Sequence, residues 1–359
     1  PMLIWHAQEA RGYAMVMLLG VVACLLFVRL VRQGPDPRTA IAYGLVAGLA
    51  VLANNSALFL ILAHGLTMLV LARPRRGADW GLWVMAFGLA ALIAAPWLMR
   101  ASGILAVDRL APGAATGVAL RSDTTFTPWA LPFAAHSLLY GYTLGPSLTE
   151  LHGPDRMGVV TSWLPLIAPA GLLGAVLAVG GWWRMPRRSA VALTLWVLIP
   201  LAAVTLLAVR NVKPFNVRYL AVAAPLITVL VARGAAMLPR GRWLGLAALA
   251  LALVSLGGYY GVDRYAREDL RGAARIIERT ATARDVVLVP VVGALYEHYA
   301  LGDERIEPFW GCPRITTRDE AKAALEERIG EADRAWLVLC RSWDLDPKGL
   351  LPGALAELG

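Results

Sequence analysis

The stretch HAQEARGY, residues 6–13, opens onto AMVMLLGVVACLLFVRLVR, residues 14–32, and the reading of that run decides the fold. Its charges are confined to Arg29 and Arg32 at the far end. As a helix rising about 1.5 Å per residue it is long enough to cross the hydrocarbon core of a bilayer. Seven further apolar runs follow, at 39–53, 56–72, 80–98, 158–181, 190–209, 217–237 and 243–262. The first two are short and separated only by Asn54-Asn55, which predicts a helical hairpin. Gly44 and Gly48, four residues apart, predict a close helix contact within it. The expected fold is a polytopic α-helical membrane protein of about eight spans. No ionisable residue is read in the middle of a span, which argues against a transporter.

Composition points the same way. The 359 residues are 58% hydrophobic and only 16% charged, with a mean hydropathy of +0.58, far from the balance of a soluble domain. A net charge of +9 raises the question of nucleic acid, which the distribution answers. Residues 1–262 carry 20 Arg and Lys against 7 acids, whereas residues 263–359 carry 14 against 18. The excess sits in short loops between apolar runs, a mark of membrane orientation and not of a nucleic-acid-binding face. Four clusters, at 29–38, 73–76, 184–188 and 233–242, hold 12 of those 20 basic residues. With eight spans all four fall on one face, which the positive-inside rule assigns to the cytoplasm. The opposite face then receives residues 6–13, Asn54-Asn55, a mixed segment at 100–156, residues 210–218 and everything after 262. The segment 100–156 interleaves Pro, Gly and Thr with Trp129, Phe133, Tyr140 and Tyr142, and reads as an ordered loop with interfacial helices. The chain opens at Pro1 with neither an initiator Met nor a signal-like region, so a preceding segment is expected.

After about residue 263 the pattern changes. Apolar residues at helical spacing in 269–281 and 317–330 alternate with buried-strand patterns at Asp285–Pro290 and Ala335–Cys340. Strands alternating with helices predict a small α/β domain over 263–359, parallel-stranded and outside the cytoplasm. No glycine-rich phosphate loop follows either strand, so the domain is assigned packing or partner binding. Cys24 reads as a buried apolar residue; Cys312 and Cys340 are read either as a disulfide or, for Cys340, as strand core.

Three outward segments concentrate polar groups. Glu9 and Arg11 would point about 200° apart on a helix, so each needs a partner elsewhere. They read either as a first-turn carboxylate with an arginine reaching the headgroups, or as functional groups beside Gln8 and Tyr13. The second segment runs from Tyr140 through Tyr142, Ser147 and Glu150 to His152. The third holds Arg210, Lys213, Arg218 and Tyr219: three cations within nine residues on the face where cations are otherwise few. Its two readings are contact with anionic headgroups and capture of a specific phosphate, which Arg grips as a fork and Lys as a point charge.

With these parts in this order, the chain resembles the bacterial protein O-mannosyltransferase and aminoarabinose transferase-like enzymes of the GT-C membrane fold. The resemblance rests on Gln8-Glu9-Ala10-Arg11-x-Tyr13 at the entry to a span, the short hairpin at 39–72, the GYTLGPSLTELH pattern at 141–152, Arg218-Tyr219 opening a span that contains Pro225, and the C-terminal α/β domain. It implies a glycosyltransferase of the bacterial inner membrane that moves a sugar from a polyprenyl-phosphate donor to an acceptor on the outer face, with inversion. It further implies Arg218, Lys213 and Tyr219 at the donor phosphate with Arg210 behind them, Glu9 and Arg11 at the rim, and optionally a divalent metal. Tyr13, Tyr142, Ser147, Glu150 and His152 complete the expected substrate-binding set. The family's principal catalytic acid lies in an outer loop that would precede Pro1, so the chain is expected to be a fragment of an enzyme whose acid lies upstream; the alternative is a degenerate relative in which Glu9 or Glu150 serves. The rival expectation is a non-catalytic membrane protein that binds a lipid carrier or scaffolds an envelope complex.

Overall fold

A computed structural model of the chain describes residues 1–7, 12–71, 77–104, 126–151, 155–210, 212–213, 215–266, 268–309 and 311–358. The helices, in order, are α1 (Met2–Ala7), α2 (Tyr13–Gln33), α3 (Pro37–Ala53), α4 (Ala57–Leu71), α5 (Gly77–Ile104), α6 (Ala130–Tyr140), α7 (Leu148–Leu151), α8 (Arg156–Trp183) and α9 (Arg187–Val209). A 3-10 helix, Val217–Ala223, then runs into α10 (Ala224–Met237), which is followed by α11 (Gly241–Gly261). The stretches 13–33, 77–100, 157–183, 187–209, 217–237 and 241–261 are long and apolar enough to cross a membrane, and α3 and α4 are shorter apolar helices. Large apolar side chains stand exposed along them, Leu18, Leu92 and Leu172 among them, as expected where the surrounding solvent is hydrocarbon.

The chain falls into two compact units: residues 1–144 with 165–257, and residues 145–164 with 258–359. In the first, α3 packs along both α2 and α5, while α4 packs along α9. Gly44 and Gly48 therefore do not close the hairpin. A Cβ at Gly44 would stand 2.7 Å from the Ala86 carbonyl oxygen, and one at Gly48 would stand 2.7 Å from Ile93 Cβ, so the two glycines admit α5. At the other end of this unit α8 meets α10 backbone to backbone, because a Cβ on Gly234 would overlap the Leu177 carbonyl and one on Gly181 the Leu230 carbonyl. Such close approach lets dispersion forces hold helices that have no hydrophobic effect to drive them together in lipid.

The second unit carries a parallel sheet flanked by α12 (Leu270–Thr280), α13 (Gly293–Tyr299), α14 (Arg318–Ile329) and α15 (Leu350–Leu358). Its strands are β1 (Asp285–Val289), β2 (Ile306–Pro308) and β3 (Arg334–Leu337) in the order β2-β1-β3. Val287 pairs with Ile306 on one side and Asp285 with Arg334 on the other. Alternate residues of β1 face opposite ways. Val286 and Leu288 pack on Leu325 of α14 and Leu351 of α15, whereas Val287 and Val289 pack on Ile277 of α12 and Tyr296 of α13. Helices thus cover both faces, as a parallel sheet requires. The two strands read from the sequence are β1 and β3; β2 is too short to give a pattern. The helix predicted at 317–330 starts in a capping box made by Thr317 and Glu320, which satisfies two otherwise orphaned donors. Cys312 and Cys340 are free and belong to the cores on opposite faces of the sheet, so the disulfide reading does not hold.

Candidate functional site

The cationic segment is built at the carboxyl end of α9. The Leu207 carbonyl accepts from the amides of Val212 (2.9 Å) and Lys213 (3.2 Å), which folds the chain back over the helix end and uses an acceptor that would otherwise be orphaned. Val212 is buried, anchoring the turn. Asn216 then caps the 3-10 helix, its side chain accepting from the Arg218 amide at 3.1 Å, while Phe215 meets Phe126 edge to face at 5.6 Å. This local order places two cations on one ring: Lys213 Nζ lies 4.4 Å and Arg218 Cζ 5.4 Å from the centroid of Tyr219. The ring attracts each of them. Arg210 is the carboxyl-terminal cap residue of α9, three positions before Lys213.

Helix α2 packs along the 3-10 helix, with Tyr13 buried against Met17 and Ala221. Tyr13 of the first polar segment thus packs on the 3-10 helix two residues beyond the third. Gly12 enters this end of the bundle because a Cβ there would overlap the Ala53 carbonyl. The Asn54-Asn55 turn follows directly: the Asn54 side chain accepts from the Ser56 amide at 3.0 Å, and that of Asn55 accepts from Trp97 Nε1. Glu9, Arg11 and His152 lie outside the described residues.

The second segment divides. Tyr140 and Tyr142 are buried in the first unit. There the Ser255 hydroxyl donates to the Tyr140 carbonyl, and Thr143 Oγ1 bonds Ser255 Oγ at 2.6 Å. His136, which the sequence reading passed over, donates from Nε2 to the Leu144 carbonyl at 3.0 Å. Burial pushes its pKa down, and the bond to Leu144 only partly opposes this.

From Gly145 onward the segment belongs to the second unit. Ser147 donates to Glu150 Oε2 from both its amide and its hydroxyl, each at 2.8 Å. Arg264 grips both carboxylate oxygens, Nη2 reaching Oε1 at 2.6 Å and Nε reaching Oε2 at 3.0 Å. Arg264 also stacks over Trp163 at 4.8 Å, and the Tyr265 hydroxyl donates to the Gly145 carbonyl at 2.7 Å. Burial alone would raise the Glu150 pKa, but the bonds from Arg264 and Ser147 together hold it below the ordinary value. A carboxylate so committed is a poor proton acceptor.

One constellation has no counterpart in the sequence reading, which found no ionisable residue in the middle of a span. His64, in the middle of α4, is fully buried, as is Tyr43 of α3. Its Nδ1 lies 3.0 Å from the Tyr43 hydroxyl and its Nε2 3.5 Å from Cys24 Sγ of α2. A neutral imidazole donates at one nitrogen and accepts at the other, so both bonds form in either tautomer. Phe27 stacks on the ring at 4.4 Å and Trp196 of α9 meets it edge-on at 4.7 Å. Trp196 Nε1 in turn donates to Thr67 Oγ1 at 3.0 Å. Four helices are tied at one imidazole. The signal in the sequence is a His, a Tyr and a Cys each lying alone among apolar neighbours, which only tertiary packing joins. Among the described residues no group of three or more His, Cys, Asp or Glu is placed to hold a metal.

No protein-family model matches this chain, and neither a curated protein nor a solved structure matches it.

Proposed function

We propose that this protein is a membrane glycosyltransferase of the GT-C type, transferring a sugar from a polyprenyl-phosphate donor to an acceptor hydroxyl. The observation that supports this reading is that Lys213 and Arg218 both lie against the Tyr219 ring, at the end of helices apolar enough to lie in lipid. A lipid-borne phosphate is a good leaving group once cations meet its developing charge. In the proposed step the acceptor oxygen attacks the anomeric carbon and the bond from that carbon to the phosphate oxygen breaks. The electron pair leaves with the polyprenyl phosphate, and the acceptor's proton passes to a carboxylate, for which Glu9 is the candidate. One displacement inverts the anomeric centre. The proposed setting is a bacterial inner membrane crossed eight times, with residues 263–359 outside the cytoplasm.

The test is donor binding and label transfer from a polyprenyl-phosphate sugar. A hydrogen bond to a charged group contributes roughly 1.5–3 kcal/mol, so Arg218→Ala and Lys213→Ala are each expected to weaken donor binding roughly 10- to 150-fold. Wild-type affinity in both variants removes the pair from the site.

A second reading has its own support: Glu150, one of the two candidate acids named from the sequence, is bound at both oxygens by Arg264. A lipid-carrier-binding or scaffold protein needs the cations and no base. Tight donor binding without transfer, unchanged by Glu9→Gln, selects that reading; transfer lost in Glu9→Gln selects the enzyme.

A further inference from the structure

The other end of the first unit carries a second, larger group of cations. From Arg156 to Val262 the chain contains no Asp or Glu, yet Arg184, Arg187, Arg188, Arg233, Arg240 and Arg242 gather where α8 and α10 end and α9 and α11 begin. The Gly181–Gly234 contact brings those ends together. Among the described residues none of the six forms an ion pair. Arg233 Nη2 donates to the Arg184 carbonyl at 2.8 Å, crossing from α10 to close the last turn of α8. Arg242 lies 5.5 Å from the centroid of Trp243.

From this cluster a groove of about 560 Å³ runs along α8, lined by Leu172, Val176, Val179 and Trp183, with Leu238 as one wall and Arg184 at its end. The spacing of these α8 residues puts them on one helix face. Trp183 is 76% exposed and Leu172 66%. An apolar channel about three turns long that ends at an aromatic ring and a bank of unneutralised arginines matches one kind of molecule: a hydrocarbon chain attached to an anion at headgroup depth.

We infer that this groove is a binding site for an anionic phospholipid, with an acyl chain along α8 and the phosphate among the arginines led by Arg184. The inference does not depend on the glycosyltransferase reading. It is tested by native mass spectrometry of the purified full chain after exchange into mixed micelles of phosphatidylglycerol and phosphatidylcholine. Wild-type protein is expected to retain phosphatidylglycerol at least about 10-fold over phosphatidylcholine, the scale of one to two charge-assisted bonds. Arg184→Gln, which keeps the carbonyl that Arg233 needs, is expected to abolish most of that preference. Val176→Trp fills the groove while leaving every arginine in place, and is expected to lose the tightly held lipid. Both side chains are exposed, so the fold survives either change. Equal retention of the two lipids by wild-type protein overturns the inference. So does a wild-type preference that persists in Arg184→Gln, which would place the charge elsewhere. Persistence in Val176→Trp overturns it equally, because headgroup attraction would then need no groove.

Discussion

Replacing Tyr43 with Phe removes one hydroxyl from the His64 knot and tests whether that knot holds the membrane helices together. Two magnitudes compete. Hydrogen bonds between membrane helices are worth about 0.6 kcal/mol on average, because the separated helices find other partners. A buried polar atom left without any partner costs about 1–3 kcal/mol. The second should win, since His64 and Tyr43 are both 0% exposed and the rings of Phe27 and Trp196 close the space around the imidazole. Tyr43→Phe is therefore expected to destabilise the protein by about 1–2 kcal/mol, measured by reversible unfolding in mixed detergent micelles with increasing dodecyl sulfate. The orphaned atom, and not lost packing, is the proposed cause, so removing it should relieve the penalty. In a double-mutant cycle with His64→Leu, the Tyr43→Phe change should cost at least about 1 kcal/mol less than it does alone. A Tyr43→Phe variant within about 0.3 kcal/mol of wild type, or a cycle additive to that precision, refutes the reasoning.

Arg264→Gln should free residues 145–151 from the 263–265 turn. Because Arg264 and Glu150 are each more than a third exposed, the loss is about 0.5–1 kcal/mol, detected as faster amide exchange confined to 145–151. Asp285 accepts from Trp336 Nε1 (2.9 Å) and Thr282 Oγ1 (2.7 Å), bonds that hold its carboxyl well below the usual range. With the folded value depressed, its contribution is complete above the unfolded value of about 3.9 and is lost as pH falls through the folded one. Asp285→Asn should flatten the acid limb of protease resistance in residues 258–359, and an unchanged limb counts against this. Burial pushes the Cys340 thiol up to about 11, so iodoacetamide at pH 8 should leave it unmodified in folded protein and label it after denaturation. Gly234→Ala drives a Cβ into the Leu177 carbonyl and should cost about 1–3 kcal/mol or prevent monodisperse purification, whereas Gly171→Ala, with open space around it, should behave as wild type.

Much of the architecture was written in the order of residues. Runs such as 14–32 and 190–209 cannot be exposed to water and must be helical in lipid, so hydropathy located them to within a few residues. Val286 to Val289 is apolar on every position, and a strand buried on both faces between helical patterns means a parallel sheet. The crowding of cations at 210–219 was equally plain. Partnership was not. Hydropathy says which residues avoid water but not which helix each one meets, so Gly44 and Gly48 looked like the seam of a hairpin when they admit α5. His64, Tyr43 and Cys24 are 21 and 40 residues apart in the chain and become one polar knot only when α2, α3 and α4 pack. The segment 140–152 read as one continuous patch, yet Thr143 and Ser255 hold its start in one unit while Arg264 and Tyr265 hold its end in the other. Composition fixes the solvent that a segment prefers; the specific, directional bonds that choose among equally apolar or equally polar neighbours form only in the folded arrangement.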